Sequence, residues 1–528
     1  MKWRRRHTQQ LSKYGRKTLN YISATAEKEN TMALLKTDRG LIDKYIAETD
    51  ALINEIENSP TNVEIKGTKY YVAADGNDEN DGLTPETAWK TIEKVNNSRY
   101  LYGDAVLFKR GDSWRQTYSL QTTKGVTYSA YGEGPKPRLI SSVDGAGEDK
   151  WEATEYANIY RFKEEIPGQD RDVGVINFDD GRAWGIQIQK TREGNRLEIG
   201  RVFNGLEWFD TTVGAFEDQR DLDNNLEFYH NWEENTLYLY CKDGNPGKVF
   251  KSIEIVDKGH GIVLRGNMDV TIDNLEIFGS GSHGIGGGDV INVTVQYCTL
   301  KWIGGSIQGK YIFNTNYGVR FGNAIESYGS SNGFYIHHCY ATQVYDCCWT
   351  VQFGAAAVMR DVHIHHNVAE YANTGLEVWQ NGGLLENMKL HDNYTRYNGY
   401  GWSHQRPNKD ANFFYGANAC ARFNKDNGVY NNINYLSQRF VLLARPTGAE
   451  HYNFHDNIYI MEEGKYLGGI TEHPATSSGE WKWDVPYDAE TIERTQGEGF
   501  EPGSKFYICE SEILGKMYEL CLPDKADK

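Results

Sequence analysis

The sequence predicts an all-β fold, a right-handed parallel β-helix, from an internal repeat, its period and its strand pattern. Three consecutive segments align, each opening with apolar-x-apolar-His-x-Cys/Asn and closing near a Gln: NGFYIHHCYATQVYDCCWTVQ (332–352), DVHIHHNVAEYANTGLEVWQ (361–380) and ENMKLHDNYTRYNGYGWSHQRP (386–407). The nearest copies are 23 to 28 residues apart, a period typical of stacked units that bury one face against the next. Within each unit the apolar residues alternate with polar ones, and no helical pattern intervenes. Each copy therefore predicts one coil of parallel strands.

Two columns of the alignment support this fold. The central apolar position of each copy is occupied by Ile272, Val295, Ile336, Ile364, Leu390 and Phe454. Three residues later stand Leu275, Cys298, Cys339, Asn367, Asn393 and Asn457. Small or amide side chains at that position fit an inner corner where successive coils stack about 4.8 Å apart.

Several segments, some before the repeat and some within it, resemble a known superfamily. YYVAADGNDENDGLTPETAWKTIEKVN (70–96), GDAVLFKRGDSWR (103–115) and YGEGPKPRLI (131–140) are similar to the opening of bacterial right-handed β-helix proteins of the pectate-lyase-like superfamily. RFGNAIESYG, QVYDCCWTVQ, GLEVW and GYGWSHQRP resemble later coils of a carbohydrate-active subset, which includes lacto-N-biosidases and α-L-fucosidases. The resemblance covers roughly residues 68–460 and implies the β-helix and a carbohydrate substrate. Because this superfamily holds hydrolases, lyases and epimerases, the fold alone does not select the reaction.

Composition narrows the class of partner. The 528 residues suffice for one large solenoid with small additions, and 55 Gly and 35 Tyr suit tight corners and stacked rings. The net charge of −17 argues against nucleic acid and against anionic membrane surfaces, both of which attract basic patches. No apolar run approaches the roughly 18 residues of a membrane span. We therefore expect an oligosaccharide or polysaccharide partner, with homo-oligomer formation left open.

The basic N-terminal stretch lacks the apolar core of a signal peptide, so the expected location is cytoplasmic. Eight cysteines fit that compartment as reduced core thiols, since their spacing matches no zinc site. Residues 1–31 stay an open question, because Met32 offers an alternative start.

The chain divides into three predicted parts. Residues 1–66 form an N-terminal helical arm or cap, whose apolar spacing of 3, 4 and 7 over 33–58 predicts helix packed on the first coil. Residues 67–470 form the β-helix, interrupted at about 145–252 by an inserted, Trp-rich β-subdomain beside the cleft. Residues 471–528 lose the repeat and are interpreted as a tail of loop and short helix.

Strand alternation predicts which polar side chains leave the solenoid. If Ile325, Leu376 and Val378 point inward, then Glu326, Glu377 and Trp379 point outward. The same parity, together with positions at strand ends and corners, predicts one binding face. Its catalytic candidates are Asp346, Glu377 and Glu370; its substrate-binding candidates are Glu326, Trp349, Gln352, Trp379, Trp402, His404, Arg406 and Arg445.

These residue types point to glycosidic bond cleavage. Carboxylates on adjacent coils would lie roughly 5–10 Å apart, the range in which one acts as acid and the other as base or nucleophile. We place the pair at Asp346 and Glu377 and favour Glu377 as the base or nucleophile. The resemblance adds Glu370, since paired acids seven residues apart occur in lacto-N-biosidase-type enzymes. Trp349, Trp379 and Trp402 are predicted platforms for sugar rings.

A second column, His337, His365, His391 and His455, is predicted to face outward on another strand. Stacked surface histidines are the preferred interpretation, with metal binding as the alternative. The cleft shows no compact ligand set, so neither a catalytic metal nor another cofactor is expected.

The resulting hypothesis is a glycoside hydrolase. One alternative is a polysaccharide lyase or uronate epimerase with His404 or Arg406 as the base. The other is a carbohydrate-binding β-helix without catalysis.

Overall fold

The protein is described here from a computed structural model. It covers residues 34–116, 118–167, 172–231, 233–264, 266–310, 312, 315–354, 356–380, 382–407, 411–418, 426–444, 452–470, 482–497 and 501–509. Arg445 and residues 1–33, which include the basic stretch, lie outside the described residues.

The fold is a right-handed parallel β-helix, as the repeat predicts. Each coil passes through three parallel sheets before it joins the next coil, and the aligned apolar positions occupy the same rung: Ile272 pairs with Val295, Val295 with Ile336, and Ile336 with Ile364. One continuous apolar core fills the inside of the solenoid.

The first sheet carries the candidate site. Its strands are Leu120–Gln121, Ile262–Val263, the first parts of Ile285–Gln296 and Ile325–His337, the last parts of Tyr340–Phe353 and Val368–Gln380, then Asn412–Asn418, Phe440–Ala444 and Tyr466–Ile470, with Lys482–Pro486 added antiparallel.

The second sheet follows in each coil. It comprises Lys69–Val72, Ala105–Lys109, Thr127–Tyr131, Met268–Asp273, the later parts of Ile285–Gln296 and Ile325–His337, Val358–His365, Leu384–His391, Gly428–Tyr430 and Phe454–His455.

The third sheet completes the coil. It comprises Ser113–Arg115, Arg138–Ile140, Glu276–Phe278, Thr299–Ile303, the first parts of Tyr340–Phe353 and Val368–Gln380, then Tyr394–Arg396, Ile433–Tyr435, Ile458–Glu462, Lys505–Cys509 and Leu34–Lys36.

A buried amide ladder holds the corner between the second and third sheets. The Asn367 side-chain amide donates to the Asn393 oxygen (3.0 Å), and Asn393 donates to Asn432 (2.9 Å). The preceding residues, such as His366 and Asp392, have φ near 55°, so they turn the chain in the left-handed region. The amide column read from the sequence is therefore the inner corner.

The helices are Arg39–Glu57, Ile92–Asn97, Pro246–Val249 and Ala489–Gly497, with 3₁₀ turns at Pro85–Thr87, Glu148–Lys150, Asp179–Gly181, Gln219–Asp221 and Trp402–Gln405. The long helix Arg39–Glu57 does not cap the first coil as expected. Its 19 residues span about 28 Å, the height of about six coils, and lie along the third sheet. Ile42 and Tyr45 pack near Tyr435, and Ile56 packs near Tyr340. The helix therefore covers aromatic side chains that point outward from different coils of the third sheet.

Both ends of the solenoid are covered by other segments. Ile92 and Val95 close the first coil together with Trp89, and Ile492 enters the core near the last coil. The segment expected as a tail also extends the solenoid, since Lys505–Cys509 pairs in parallel with Ile458–Glu462. Lys505–Cys509 is a single short strand that is not followed by another copy of the repeat. The repeat in the sequence therefore did not predict it.

The insertion is a β-subdomain whose strands begin at Val143 and end at Asp257. One sheet contains Val143–Asp144, Val173–Phe178, Ala183–Trp184 and Ile253–Asp257. Another contains Trp151–Ala153, Ile159–Phe162, Ile186–Gln187, Glu227–Asn231 and Thr236–Tyr240. The insertion also contains the antiparallel hairpin of Arg201–Phe203 with Trp208–Asp210. A second hairpin, Ile307–Lys310 with Gly318–Arg320, comes later in the chain. Among the described residues, no helix has the length and apolar character that a membrane span requires.

Candidate active site

Two outward rows of side chains on the first sheet define the site. In the first row, Gly286, Glu326, Thr350, Glu377 and Tyr415 pair rung by rung. In the second row, two residues further along each strand, Tyr328, Gln352 and Trp379 follow one another. Glu326 and Glu377 are thus two coils apart, about 10 Å between their backbones, with Thr350 between them.

Asp346 reaches the same place from a bulge. The pairing of Tyr340–Phe353 with Val368–Gln380 shifts between Val344 and Cys347, so the strand carries an extra residue there. The bulge holds Tyr345 and Asp346, and the Asp346 carboxylate forms an ion pair with Arg406. The Arg406 guanidinium also lies 5.4 Å from the centre of the Tyr345 ring. The bulge therefore places Asp346 and its partner Arg406 near Glu326 and Glu377, the carboxyl groups of the neighbouring coils.

The insertion walls this side of the sheet. Trp402 packs between Tyr345 (5.2 Å between ring centres) and Trp302 (6.5 Å), and Trp302 in turn meets Trp184 of the insertion (6.1 Å). Glu326 and Glu377 face away from the solenoid core, yet they are only 6% and 8% exposed. Low exposure at an outward position shows that other parts of the chain cover these two carboxyl groups.

Two side chains, Asn323 and His283, hold Glu326 in place. Its Oε2 accepts from the Asn323 side-chain amide (2.6 Å) and lies 3.1 Å from His283 Nε2. His283 Nδ1 accepts from the Asn323 backbone N–H (3.0 Å), so the proton of the neutral ring is on Nε2 and points at Glu326. Gly286 permits this arrangement, since an added Cβ there would lie 2.9 Å from the Cβ of His283.

Burial and hydrogen bonding set the protonation states of this group. Burial lowers the pKa of His283 to about 4, which keeps the imidazole neutral. Burial, with a contribution from the charge of Asp346, raises the pKa of Glu326 to about 7. The stacked His260, 5.2 Å away, also has its pKa lowered by burial to about 4.

Glu377 is the most perturbed carboxyl group of the cleft. Its Oε2 accepts from the Thr350 hydroxyl (2.6 Å) and from the Gln352 amide (3.0 Å). Burial and then the charge of Asp346 raise its pKa to about 8, although both hydrogen bonds act in the opposite direction. At neutral pH Glu377 is therefore mostly a proton donor, while Asp346 is the ion-paired carboxylate beside it.

Six of the eleven residues predicted for the binding face lie here: Asp346, Glu377, Glu326, Gln352, Trp379 and Arg406. The site also contains His283, Asn323 and Thr350, which the sequence pattern did not predict. His283 lies within the glycine-rich stretch GSGSHGIGGG. A polar ring among glycines at a corner is the feature of the sequence that could have indicated it.

Four predicted residues lie elsewhere. Trp349 pairs with Leu376 and points into the core, and Trp402 is fully buried, so neither is a sugar platform. His404 Nε2 accepts from the Phe203 backbone N–H (2.7 Å) and so holds the insertion hairpin. Glu370 is buried on the third sheet with Arg396 and Tyr340.

Comparison with known proteins gives one sequence relative and several structures. No protein-family model matches the chain. It is 33% identical over 106 residues to a lacto-N-biosidase of Bifidobacterium longum subsp. longum, a match that covers 18% of this chain and 7% of that relative. The chain thus spans only a small part of that relative's length.

The solved structures found are similar over most of the chain at low identity. A lacto-N-biosidase of family GH136 from Eubacterium ramulus has a TM-score of 0.37 at 12% identity, covering 84% of this chain and 68% of that one. XylC in complex with xylose has a TM-score of 0.45 at 12% identity, covering 84% and 86%.

Proposed function

We propose that this protein is a glycoside hydrolase that cleaves a glycosidic bond in a neutral or mildly charged oligosaccharide or polysaccharide. The observation that carries the proposal is the buried Glu377, whose pKa is raised by burial to about 8, beside the ion-paired Asp346 on the preceding coil. Glycoside hydrolysis requires this asymmetry, because one carboxyl group protonates the leaving oxygen while the other acts as nucleophile or general base. The partial match to a lacto-N-biosidase supports the same class.

The roles follow from the electrostatics. Glu377 is the general acid, with its pKa raised by burial to about 8, and Asp346 is the nucleophile or base. This assignment reverses the role that strand position alone suggested for Glu377. Arg406 keeps the charge of Asp346 compensated in the resting enzyme and can hydrogen bond sugar oxygens.

Substrate binding would use the second outward row. Tyr328 is 53% exposed, and Trp379 lies two coils further along that row. Flat aromatic faces at this spacing can stack on the apolar faces of sugar rings. His283 and Asn323 hold Glu326 in place. Glu326 could then bind a hydroxyl group of a sugar that lies between Tyr328 and Trp379.

The lyase alternative is weaker because its expected bases are engaged. His404 holds the Phe203 backbone, and Arg406 pairs with Asp346. A lyase would also release an unsaturated sugar that absorbs ultraviolet light, whereas a hydrolase adds water and releases a saturated reducing end.

The test is a panel of aryl glycosides and of neutral and acidic oligosaccharides, read by chromatography and by ultraviolet absorbance. We expect saturated products and new reducing ends from at least one member. Unsaturated sugars released from the oligosaccharides, which absorb ultraviolet light without an aryl group, would establish the lyase. Binding of sugars without turnover, across the panel, would establish a carbohydrate-binding module.

The stereochemical outcome can be read from the same reaction. Proton NMR of the first product distinguishes retention from inversion, and so tells whether Asp346 attacks the sugar directly or activates a water. Glu386→Gln is the matched control for all carboxylate variants, since Glu386 pairs with Arg360 on the surface of the second sheet.

A further inference from the structure

A surface column of rings marks the corner between the second and third sheets. We call it the histidine corner and define it by two adjacent positions in five successive coils: His337–His338, His365–His366, His391–Asp392, Tyr430–Asn431 and His455–Asp456. At the first position of each pair the rings stack, with centres 5.1 Å apart between His337 and His365 and 5.0 Å between His365 and His391. This spacing is that of the coils themselves.

The second position brings a further polar atom toward each histidine ring. His365 Nδ1 lies 2.9 Å from His366 Nδ1, and His391 Nδ1 lies 2.7 Å from Asp392 Oδ2. The corner residues His366 and Asp392 have φ of 55° and 54°. This left-handed turn lets both residues of a pair reach solvent on the same side, which ordinary strand alternation would prevent.

Three potential ligands converge between two of these coils. The side chains of His366, His391 and Asp392 offer ligand atoms that all lie within 4.8 Å of one another. Of the part of the chain that the structure describes, this is the one group of three such side chains. His366 is exposed and the other two are half-buried, so an ion can reach them from solvent.

We propose that His366, His391 and Asp392 bind a divalent transition metal, Zn²⁺ foremost, as a clamp between adjacent coils. Two imidazoles and a carboxylate are a ligand set that Zn²⁺ accepts at 2.0–2.2 Å, with water completing the tetrahedron. Ca²⁺ and Mg²⁺ prefer six or more oxygen ligands and are disfavoured here. Two ligands of a tetrahedral ion lie about 3.4 Å apart at such bond lengths. The ligand atoms, which lie within 4.8 Å of one another, must therefore move closer together, and the exposed His366 is the side chain with most room to do so.

A second His–Asp pair on the same corner provides a comparison for the proposed metal site. His455 and Asp456 repeat the pair geometry of His391 and Asp392, again with 2.7 Å between Nδ1 and Oδ2. The coil before them, however, carries Tyr430 and Asn431 instead of two histidines. The second pair therefore lacks the third ligand, and it should bind Zn²⁺ no better than an isolated surface pair.

The variants can copy residues that the chain already uses at these positions. His391→Tyr keeps a stacked ring, as at Tyr430, and His366→Asn keeps a residue that tolerates positive φ, as at Asn431. His455→Tyr is the matched control. None of these residues lies on the first sheet, so the proposal is independent of the proposed function.

The experiment is calorimetric titration of the chelator-treated, tag-free full chain with ZnCl₂ and, separately, with CaCl₂. We expect one Zn²⁺ site and no Ca²⁺ binding, a loss of Zn²⁺ affinity of at least tenfold in His391→Tyr and His366→Asn, and none in His455→Tyr. Zn²⁺ should also raise the Tm of the wild type and of His455→Tyr only. Wild-type affinity in His391→Tyr, an equal loss in all three variants, or no Zn²⁺ binding by the wild type would overturn the proposal. Melting curves without metal confirm that each variant folds.

Discussion

Glu370 and Glu377 are two buried carboxyl groups on one strand, and their surroundings differ in every respect that matters for chemistry. Glu370 lies on the third sheet, where it accepts from Arg396 Nε (2.6 Å) and from the Tyr340 hydroxyl. Arg396 in turn reaches Asp50 of the long helix (2.8 Å). Glu377 lies on the first sheet, where it accepts from the neutral groups of Thr350 and Gln352.

The difference teaches how the solenoid separates structure from function. A carboxylate that has a cation, a hydroxyl and a covering helix serves to attach that helix. A carboxyl group that has only neutral donors and a neighbouring negative charge keeps its proton instead. Seven residues on one strand therefore separate a structural anchor from a candidate acid.

The most direct test of this comparison is to replace each carboxyl group of the proposed catalytic pair with an amide. Glu377→Gln and Asp346→Asn should each lower kcat at least ~10²-fold, since each removes a proton-transfer or nucleophilic group. Glu370→Gln should keep kcat within a few-fold. The measurement is steady-state kinetics on the substrate found in the panel, with Glu386→Gln as control. If Glu370→Gln lost activity with its fold intact while Asp346→Asn kept it, the catalytic pair would be the one suggested by the resemblance.

Stability should show the opposite order. Glu370→Gln leaves Arg396 buried without its main partner, and breaking a buried ion pair costs on the order of 3 kcal/mol. Glu377→Gln removes an uncompensated carboxyl group and should leave the free energy of unfolding nearly unchanged or slightly higher at neutral pH. Denaturant unfolding curves of both variants measure this. Equal destabilisation by the two changes would contradict the distinction between anchor and acid.

The sequence was sufficient for the solenoid and for half of the site. The repeat identified which rungs align, and alternation placed Glu326, Glu377 and Trp379 outside. The prediction that Trp349 is a sugar platform was wrong. Trp349 pairs with Leu376, which points inward, so Trp349 points inward as well. Alternation also could not predict the partners of Glu370 and His404, because Arg396, Phe203 and the long helix approach from other parts of the chain. Alternation says which side of a sheet a residue faces, but not what covers that side.

The pH dependence offers a finer test of Glu377. Activity that needs its proton should decline above about pH 8, where its pKa lies. Stability should respond too: an unfolded glutamate releases its proton near 4.5, so between about pH 4.5 and 8 the folded chain binds more protons than the unfolded chain. The contribution of Glu377 to the free energy of unfolding therefore falls as pH rises through that range. Glu377→Gln should remove this part of the slope, and Glu370→Gln should leave it in place.

The smallest effect should come from Thr350. Its hydroxyl donates to Glu377 Oε2 (2.6 Å) and lowers the pKa of that carboxyl group against the stronger influence of burial. Thr350→Val keeps the shape of the side chain and removes the donor, so the alkaline limb of the kcat/KM profile should move to higher pH while kcat at pH 6 changes by less than about threefold. Full pH profiles of the two proteins provide the measurement. Thr342→Val is the control, since Thr342 occupies the matching rung beside Glu370. A limb that moved to lower pH, or that moved equally in both variants, would mean that the titrating acid is a group other than Glu377.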